Sequence, residues 1–540
     1  MPAIITDQFR ISNAETFVQS FSGIGTTSYY YAFLAHPEPG NTSFSGVTVR
    51  NYQSVTGTSP NVPKDSFEQE NAYHDSMLFA KRITADDVAR VIPNRVWTSG
   101  ETYDMYRNDI DIDNNTNVTS STNLYDSKFY AINDEFKVYI CINNGSSPDG
   151  NGNLIAGKSL NQPTHVDLSP RPAGDGTDGY LWKYLFSIKP ADYIKFATDD
   201  FIPVPSAWGD ANSKEVKDAA VDGKLETVLV TNKGSGYKFN NSSSTVIPDV
   251  PIYGDGQGAT ASVTITAGEV TAVDISNGGS GYTRARLELN TNSKTGVNKS
   301  STASNQAVFE VVIPPQGGHG ADIYRELGAY RVLLHSKFDD TKGDLSDYVT
   351  SNNFSRVGII KNPIKQDATG SSSELINTTT ATTLGAIKLD GDSQNSNYPI
   401  NTIINQTLVN GDIAVGVIAS FNKNTNVLRY YQPVGLSTLS AYGYKLIDFA
   451  SEASAISGAS VVNPLVVDTD FDASSVNDIN VGVTFVGGIA KPEIKKYSGD
   501  IIYVDNRNKV TRSSTQKEEI KIIINRYNLF KTPQKIKIES

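Results

Sequence analysis

Short apolar runs separated by turn-forming residues dominate the pattern of hydrophobic and polar positions along the chain. The runs are rich in Val, Ile, Tyr and Thr, and clusters of Gly, Asn, Ser and Asp bound them. Strand-length runs of this composition between turn formers are typical of β-strands. The five clearest lie at Phe136–Ile142, Ala307–Ile313, Ala329–His335, Asp412–Phe421 and Glu519–Arg526. The pattern therefore predicts a mainly β protein.

Two helices are predicted near the start of the chain, each opened by a capping box. In such a box a Ser or Thr oxygen accepts from a backbone N–H, and an acidic residue three positions later returns the bond. Ser12-x-x-Glu15 predicts a helix over Asn13–Phe21. Thr84-x-x-Asp87 predicts a second over Ala85–Val91, which Pro93 ends.

One internal repeat stands out, with an offset of 45 residues between its copies, Val228–Tyr237 (VLVTNKGSGY) and Val273–Tyr282 (VDISNGGSGY). The shared N-x-G-S-G-Y predicts a turn whose glycines take positive φ and whose tyrosine covers the neighbouring sheet. We therefore expect a two-copy β module over Leu225–Gln316. Gly223 and the segment 314–318 would be its hinges.

These patterns predict a multi-domain, β-sandwich-like core with a few short helices and inserted β modules. The Ser- and Thr-rich segment that begins at Gln366 is the expected linker into a second insertion. The expected parts are the N-terminal core (1–222), the repeat module (223–320), core strands (321–366), a second β-rich insertion (367–490) and a basic C-terminal segment (491–540).

Composition narrows the class of protein. The chain has 540 residues, of which 38% are hydrophobic and 19% charged, so neither disorder nor a membrane bundle fits. A net charge of −11 argues against a general nucleic-acid binder. The single cysteine, Cys141, excludes a disulfide framework, and the first residues carry no secretory signal. The segment 491–540 has a positive net charge, because it contains nine Lys and three Arg but only four Glu and two Asp. It is either a solvated tail or a surface that docks on an acidic neighbour, in cis or in trans.

Two glycine motifs match nucleotide-binding patterns, but neither has the required context. Gly152–Ser159 (GNLIAGKS) fits a P-loop, yet Pro163 prevents the helix that a P-loop needs. Gly174–Gly179 (GDGTDG) fits a dinucleotide fingerprint, yet an aromatic strand, Tyr180–Ile188, follows it. We therefore expect a surface loop and a turn, with no nucleotide and no other cofactor.

Metal and catalytic sites are equally weakly indicated. Three acidic alternations begin at Asp109, Asp149 and Asp468, but none has the glycine and glutamate of a calcium loop. Solvated loops are the default, so no metal is expected. The five histidines have no metal-binding spacing, and the chain lacks a G-x-S-x-G elbow. Tyr180, Trp182 and Tyr184 are either core residues or a platform for sugar or protein.

Several segments, in order, resemble one family: the baseplate wedge subunit called gene product eight in T-even-like contractile-tailed phages. The most specific is Gly174–Ile188 (GDGTDGYLWKYLFSI). The others are Asp7–Phe21, Ala89–Trp97, Phe201–Pro205, Asn353–Pro363, Ser498–Arg507 and Glu518–Ile524. The repeat module and roughly Asp367–Lys491 have no counterpart in the shorter relatives. The GSGY repeat itself resembles β modules of other phage structural proteins, particularly from marine cyanobacterial phages.

The resemblance implies a non-enzymatic virion protein, assembled in the host cytoplasm. It would be a homodimer, bound to other wedge proteins within a six-fold tail baseplate, and it would bind no nucleic acid or membrane. The residues that we expect at protein interfaces are Tyr180, Trp182, Tyr184, Trp97, Arg507 and Arg512. One alternative is a tail-associated glycan-binding protein or depolymerase that uses aromatic runs and paired carboxylates. Another is a secreted adhesin, against which the missing signal counts.

Overall fold

The structure is a computed structural model of the chain. It describes residues 6–22, 28–37, 40–44, 47–51, 62–114, 118–149, 154–299, 306–339, 348–366, 373–432, 439–440, 443–444, 447–452, 454–476, 479–480, 484–513, 517–525 and 537–539.

The described part of the chain is mainly β, with many antiparallel sheets and a few short helices, which confirms the predicted fold class. The strands before the repeat module are β1 (Tyr30–Ala35), β2 (Gly40–Phe44), β3 (Val47–Asn51), β4 (Met77–Ile83), β5 (Val88–Pro93), β6 (Tyr130–Ile132), β7 (Lys137–Asn144), β8 (Ser147–Pro148), β9 (Leu154–Ile155), β10 (Arg171–Pro172), β11 (Tyr180–Ser187) and β12 (Phe201–Pro203).

Eight strands lie in the described residues of the repeat module. They are β13 (Val228–Asn232), β14 (Tyr237–Phe239), β15 (Thr245–Gly254), β16 (Thr260–Thr266), β17 (Glu269–Asn277), β18 (Ala285–Leu287), β19 (Val297–Lys299) and β20 (Val308–Val311).

The strands after the module are β21 (Arg331–Phe338), β22 (Asn353–Lys361), β23 (Thr380–Thr382), β24 (Gly385–Asp390), β25 (Ile403–Thr407), β26 (Ile413–Asn422), β27 (Val427–Tyr431), β28 (Leu439–Ser440), β29 (Gly443–Tyr444), β30 (Val466–Val467), β31 (Ser475–Val476), β32 (Ile479–Asn480), β33 (Ile489–Ala490), β34 (Asp500–Thr511), β35 (Glu518–Asn525) and β36 (Lys537–Glu539). All five apolar runs singled out from the sequence overlap strands, namely β7, β20, β21, β26 and β35.

The α-helices of the described residues are α1 (Asp7–Gln19), α2 (Phe67–Ser76), α3 (Pro190–Phe196), α4 (Lys214–Asp218) and α5 (Ile323–Glu326). Single 3₁₀ turns lie at Ala85–Asp87 and Leu124–Asp126.

Both predicted helices need correction. The first begins six residues earlier than expected, so Ser12 lies inside α1, where its carbonyl accepts from the Thr16 hydroxyl at 3.0 Å. The second exists only as a 3₁₀ turn. The capping box is present: Asp87 Oδ2 accepts from Thr84 N at 2.9 Å, and it also accepts from the Thr84 hydroxyl at 2.7 Å. The chain then continues as strand β5, because Val88, Val91 and the other apolar residues after the turn are buried in a sheet.

The chain divides into two compact units, each discontinuous in sequence. The first comprises Met1–Thr16, Ala89–Leu333 and Ile523–Gln534, and the second Phe17–Val88, Leu334–Ile522 and Lys535–Ser540.

The first unit contains a four-stranded antiparallel sheet in the order β10-β11-β7-β6, and β12 pairs with β5. Its core is aromatic and centres on β7 and β11. The repeat module also belongs to this unit and has an apolar core of its own. That core draws on residues of both copies, such as Tyr237 and Tyr282.

The second unit contains a five-stranded sheet in the order β23-β4-β1-β22-β34. A separate sheet in the order β25-β26-β27-β24-β30 lies in the second region predicted as an insertion. An apolar core from Ile387 to Val467 belongs to this sheet. The two sheets therefore have distinct cores within one unit.

Candidate functional site

Two of the six predicted interface residues lie in the core of the first unit. Tyr180 and Trp182 are both 0% exposed, and their rings stack with centroids 5.7 Å apart. The Tyr180 hydroxyl accepts from Tyr103 N at 3.0 Å and donates to Gly157 O at 2.8 Å. Burial also raises the pKa of Tyr180. Neither ring offers a surface to a partner in this fold. The expectation that they form an interface is corrected accordingly, because both side chains pack in the aromatic core of the first unit.

Tyr184 and Trp97 retain access to the surface. Tyr184 is half-buried, and its hydroxyl lies 2.9 Å from Ser187 Oγ. Trp97 is also half-buried and is followed by loop. Its neighbour Val96 is 54% exposed. The Trp97 indole donates to the hydroxyl of Ser159, and the next residue, Leu160, is 52% exposed. We call Val96, Trp97 and Leu160 the Trp97 patch. An interface at this patch and at Tyr184 stays a prediction.

The two predicted interface arginines, Arg512 and Arg507, also differ in burial. Arg512 is 1% exposed, and its Nε donates to Glu518 Oε2 at 2.8 Å while Nη1 donates to Tyr348 O at 2.8 Å. This buried ion pair is internal to the second unit, so the predicted interface role of Arg512 is corrected to a structural one. Arg507 is half-buried, and its Nε lies 2.8 Å from Asp505 Oδ2. Its predicted role at an interface stays open to test.

The segment that matches a P-loop contributes to packing. Its first glycine, Gly152, lies outside the described residues. Ser159, whose hydroxyl would bind Mg²⁺ in a P-loop, is 0% exposed and accepts from Trp97 Nε1 at 3.0 Å. Its backbone N–H donates to Glu101 O at 2.8 Å. Between 154 and 189 the chain forms no helix, which agrees with the loop expected from Pro163.

The glycine-rich segment before β11 is a turn, as predicted. Gly174, Gly176 and Gly179 all have positive φ, between 57° and 75°. Asp178 holds the turn in place, since its Oδ1 accepts from Tyr180 N at 3.0 Å and its Oδ2 from Leu160 N at 2.9 Å. The glycines therefore allow the sharp reversal that feeds the aromatic strand.

The first acidic alternation forms a local turn, whereas Asp472 of the third accepts from the more distant Gly487 N at 2.6 Å. Asp111 Oδ1 accepts from the backbone N–H groups of Asp113, at 2.8 Å, and Asn114, at 2.7 Å. Asp109 pairs with Arg107, whose Nη2 lies 2.7 Å from its Oδ2. The hydrogen bond from the Arg107 side chain lowers the pKa of Asp109. The second alternation extends from Asp149 to residues that are not described. Among the described residues, no group of three or more His, Cys, Asp and Glu side chains could hold a metal ion.

The sequence did not indicate how the repeat module is attached to the rest of the first unit. Lys183 Nζ lies 2.7 Å from Glu226 Oε1, and both side chains are less than 10% exposed. Arg107 forms a second ion pair with Glu310, in β20 of the module. These partners are separated by 43 and 203 residues, so sequence spacing gave no sign of them. A cleft of about 710 Å³ lies between the module and the loops around β8 and β11.

Both regions predicted as insertions begin and end at neighbouring points. Gly317 N donates to Asp222 Oδ1 at 2.7 Å, which joins the two ends of the repeat module. Gln366 N donates to Glu493 O at 2.7 Å, which joins the two ends of the second region. Adjacent ends are what a domain inserted into a surface loop requires.

Part of the basic C-terminal segment binds within the chain. Lys496 Nζ lies 2.7 Å from Asp75 Oδ1, and the Tyr497 hydroxyl donates to the same oxygen at 2.7 Å. Asp75 is 8% exposed, so both contacts are largely shielded from water. At these two residues the segment docks in cis.

None of the described helices has both the length and the apolar character needed to cross a membrane. No protein-family model and no curated protein matches the chain.

Proposed function

We propose that the chain is a structural subunit of the baseplate wedge in a contractile phage tail. The observation that carries the proposal is that segments resembling the wedge family pair directly with one another, although they are distant in sequence. In the first unit, Ile202 of β12 is opposite Ile92 of β5. In the second, Ile359 of β22 is opposite Tyr503 of β34. A shared core built from these segments would produce such pairing.

The two regions without a counterpart in the family support the same interpretation. Each has its own apolar core and closely spaced ends, as the contacts of Gly317 with Asp222 and of Gln366 with Glu493 illustrate. A family core can accept such insertions without losing its own packing. We propose that the core binds other wedge proteins and the insertions form peripheral contacts.

We propose a mechanical role without catalysis. The groups that suggested chemistry in the sequence take part in packing. The Ser159 hydroxyl binds Trp97, and the Asp111 carboxylate binds its own loop. In a baseplate the chain would act through interfaces that differ between the resting and contracted states, because only differential contacts can shift such an equilibrium. Its partners would be other wedge proteins and a second copy of itself.

The alternative of a glycan-binding protein or depolymerase loses two of the three rings of its aromatic run, Tyr180 and Trp182. Stacking on a sugar needs an exposed ring, whereas Tyr180 and Trp182 are 0% exposed. The pairing of distant family-like segments favours the baseplate subunit.

Quantitative mass spectrometry of purified phage tails tests the proposal. We expect the chain in intact tails at a fixed ratio to the other baseplate proteins, and its absence from purified virions would contradict the proposal. A variant without residues 223–316 provides the matched comparison. Because Asp222 and Gly317 are already in contact, this variant is expected to retain the core and enter the baseplate. Exclusion of a folded deletion variant would contradict the peripheral role of the module.

A further inference from the structure

In the folded module, strands of each copy of the repeat pair with strands of the other copy. We call residues 223–267 the first half-module and residues 268–313 the second half-module. Strand β13 of the first pairs with β20 of the second, with Val228 opposite Val311. Strand β17 of the second pairs with β16 of the first, with Val273 opposite Val263. Val228 and Val273 are equivalent in the repeat, so in both pairings the first strand of one half-module lies against the last strand of the other.

Backbone hydrogen bonds also connect the two half-modules at equivalent positions. Leu225 N donates to Gly278 O at 2.9 Å. At the equivalent position of the second half-module, Val270 N donates to Lys233 O at 3.0 Å. Each bond runs from one half-module to the other, and the two have the same register.

The repeated tyrosines act in the same reciprocal way. The Tyr237 hydroxyl of the first half-module accepts from Ala307 N of the second at 2.9 Å. The Tyr282 hydroxyl of the second accepts from Ala259 N of the first at 3.2 Å. Both tyrosines are at most 3% exposed. Each half-module therefore supplies a buried anchor that only the complementary half-module can satisfy.

The covalent link between the half-modules is short. Strands β16 and β17 are joined by the hairpin Thr266–Glu269, whose central residues have φ of 53° at Ala267 and 85° at Gly268. Positive φ is unfavourable for Ala, and an opened hairpin would remove it. Opening of this hairpin, together with release of the contact between Gly317 N and Asp222 Oδ1 at the other end of the module, would leave the pairing surface of each half-module intact but unpaired.

We propose that a half-module is a self-recognition unit, and that it pairs with the complementary half-module of a second copy of this chain through opening of the hairpin Thr266–Glu269. The same hydrogen bonds and strand pairs form within one chain or between two. The short link favours the closed form in dilute solution, because tethered partners have an effective concentration in about the millimolar range. Crowding of many copies in an assembly favours exchange. This inference does not depend on the proposed baseplate function.

Mixed disulfide formation between full-length chains tests the proposal. Ser262 Oγ in β16 lies 2.8 Å from Ser276 Oγ in β17, so the two positions report contact between complementary half-modules. One chain carries Ser262→Cys and the other Ser276→Cys, both in a Cys141→Ser background. The two are mixed, unfolded, refolded together at several concentrations and oxidised. The single chain with both cysteines is the control for disulfide competence.

We expect a covalent dimer that contains one chain of each kind. By mass action, a dilution of about tenfold should lower the ratio of dimer to monomer by about tenfold. Failure to obtain the mixed dimer at any concentration, while the control chain forms its internal disulfide, would overturn the proposal.

A separate variant tests whether the hairpin Thr266–Glu269 is the hinge. Ala267→Gly tolerates the positive φ of the closed hairpin and so is expected to lower the ratio of dimer to monomer in the same experiment. An unchanged or increased ratio would overturn the assignment of this hairpin as the hinge.

Discussion

Gly223→Ala tests the reciprocal packing of the repeat module most sharply. Gly223 has a φ of +63°, and an added Cβ would lie 2.1 Å from Tyr282 N and 2.7 Å from Gly281 C. Both neighbours are backbone atoms of the second half-module, so they cannot rotate away. The equivalent position in the repeat, Gly268, provides a matched control. It has a φ of +85°, yet its added Cβ would come no closer than 3.4 Å to any atom.

The expected losses follow from these two geometries. An Ala with left-handed backbone costs about 1–2 kcal/mol, which applies to both variants. Overpacking adds about 1–3 kcal/mol for Gly223→Ala alone. The opening free energy of the module should therefore fall by about 2 kcal/mol more in Gly223→Ala than in Gly268→Ala. That difference corresponds to roughly 30-fold in the opening equilibrium.

Hydrogen exchange followed by mass spectrometry measures this quantity in the full chain, because it reports local opening without requiring global two-state unfolding. Peptides that cover 225–237 and 270–282 should exchange fastest in Gly223→Ala. Peptides from β22 should remain unchanged in both variants. Equal exchange of the module in the two variants would refute the packing described here.

Further predictions concern the core, a buried ion pair and acid stability. Trp182→Ala is expected to cost about 3–5 kcal/mol because the indole is fully buried, whereas Tyr184→Ala should cost much less; similar denaturant midpoints for the two would contradict this. Arg512→Met leaves the Glu518 carboxylate buried without its cation and should cost about 3–5 kcal/mol, most of which a second change, Glu518→Leu, should restore in a double-mutant cycle. A threonine hydroxyl and two backbone N–H groups donate to Asp255 and hold its pKa below the ordinary value. Its stabilising contribution is thus present above the unfolded pKa, near 3.9, and is lost as pH falls toward the folded pKa. Asp255→Asn should flatten the acid side of the stability profile, and an unchanged profile would argue against these bonds.

Strands were predictable from sequence because their signal is local. Runs such as Asp412–Phe421 combine β-branched residues with flanking turn formers, and both features survive in the fold as β26. The Thr84 capping box was also real. Its helix was wrong because a capping box fixes only one turn, and the burial of Val88–Pro93 in a sheet then decides the continuation.

The candidate site was less predictable, because it depends on contacts between distant residues. An aromatic residue in an apolar run has the same sequence signature in a core and at an interface, so Tyr180 and Trp182 could not be separated from Tyr184. The glycine turns of the repeat were predictable, and the positive φ of Gly236 and Gly281 confirms them. The strand pairing between the two copies was not predictable, since two copies that each folded separately would have the same sequence pattern.

A density map of the intact phage tail tests the central claim most directly. We expect this chain as paired copies in each sector of the six-fold baseplate, with the strands that resemble the wedge family against neighbouring proteins and the repeat module at the periphery. A complete baseplate map that assigns every density to other proteins would contradict the account.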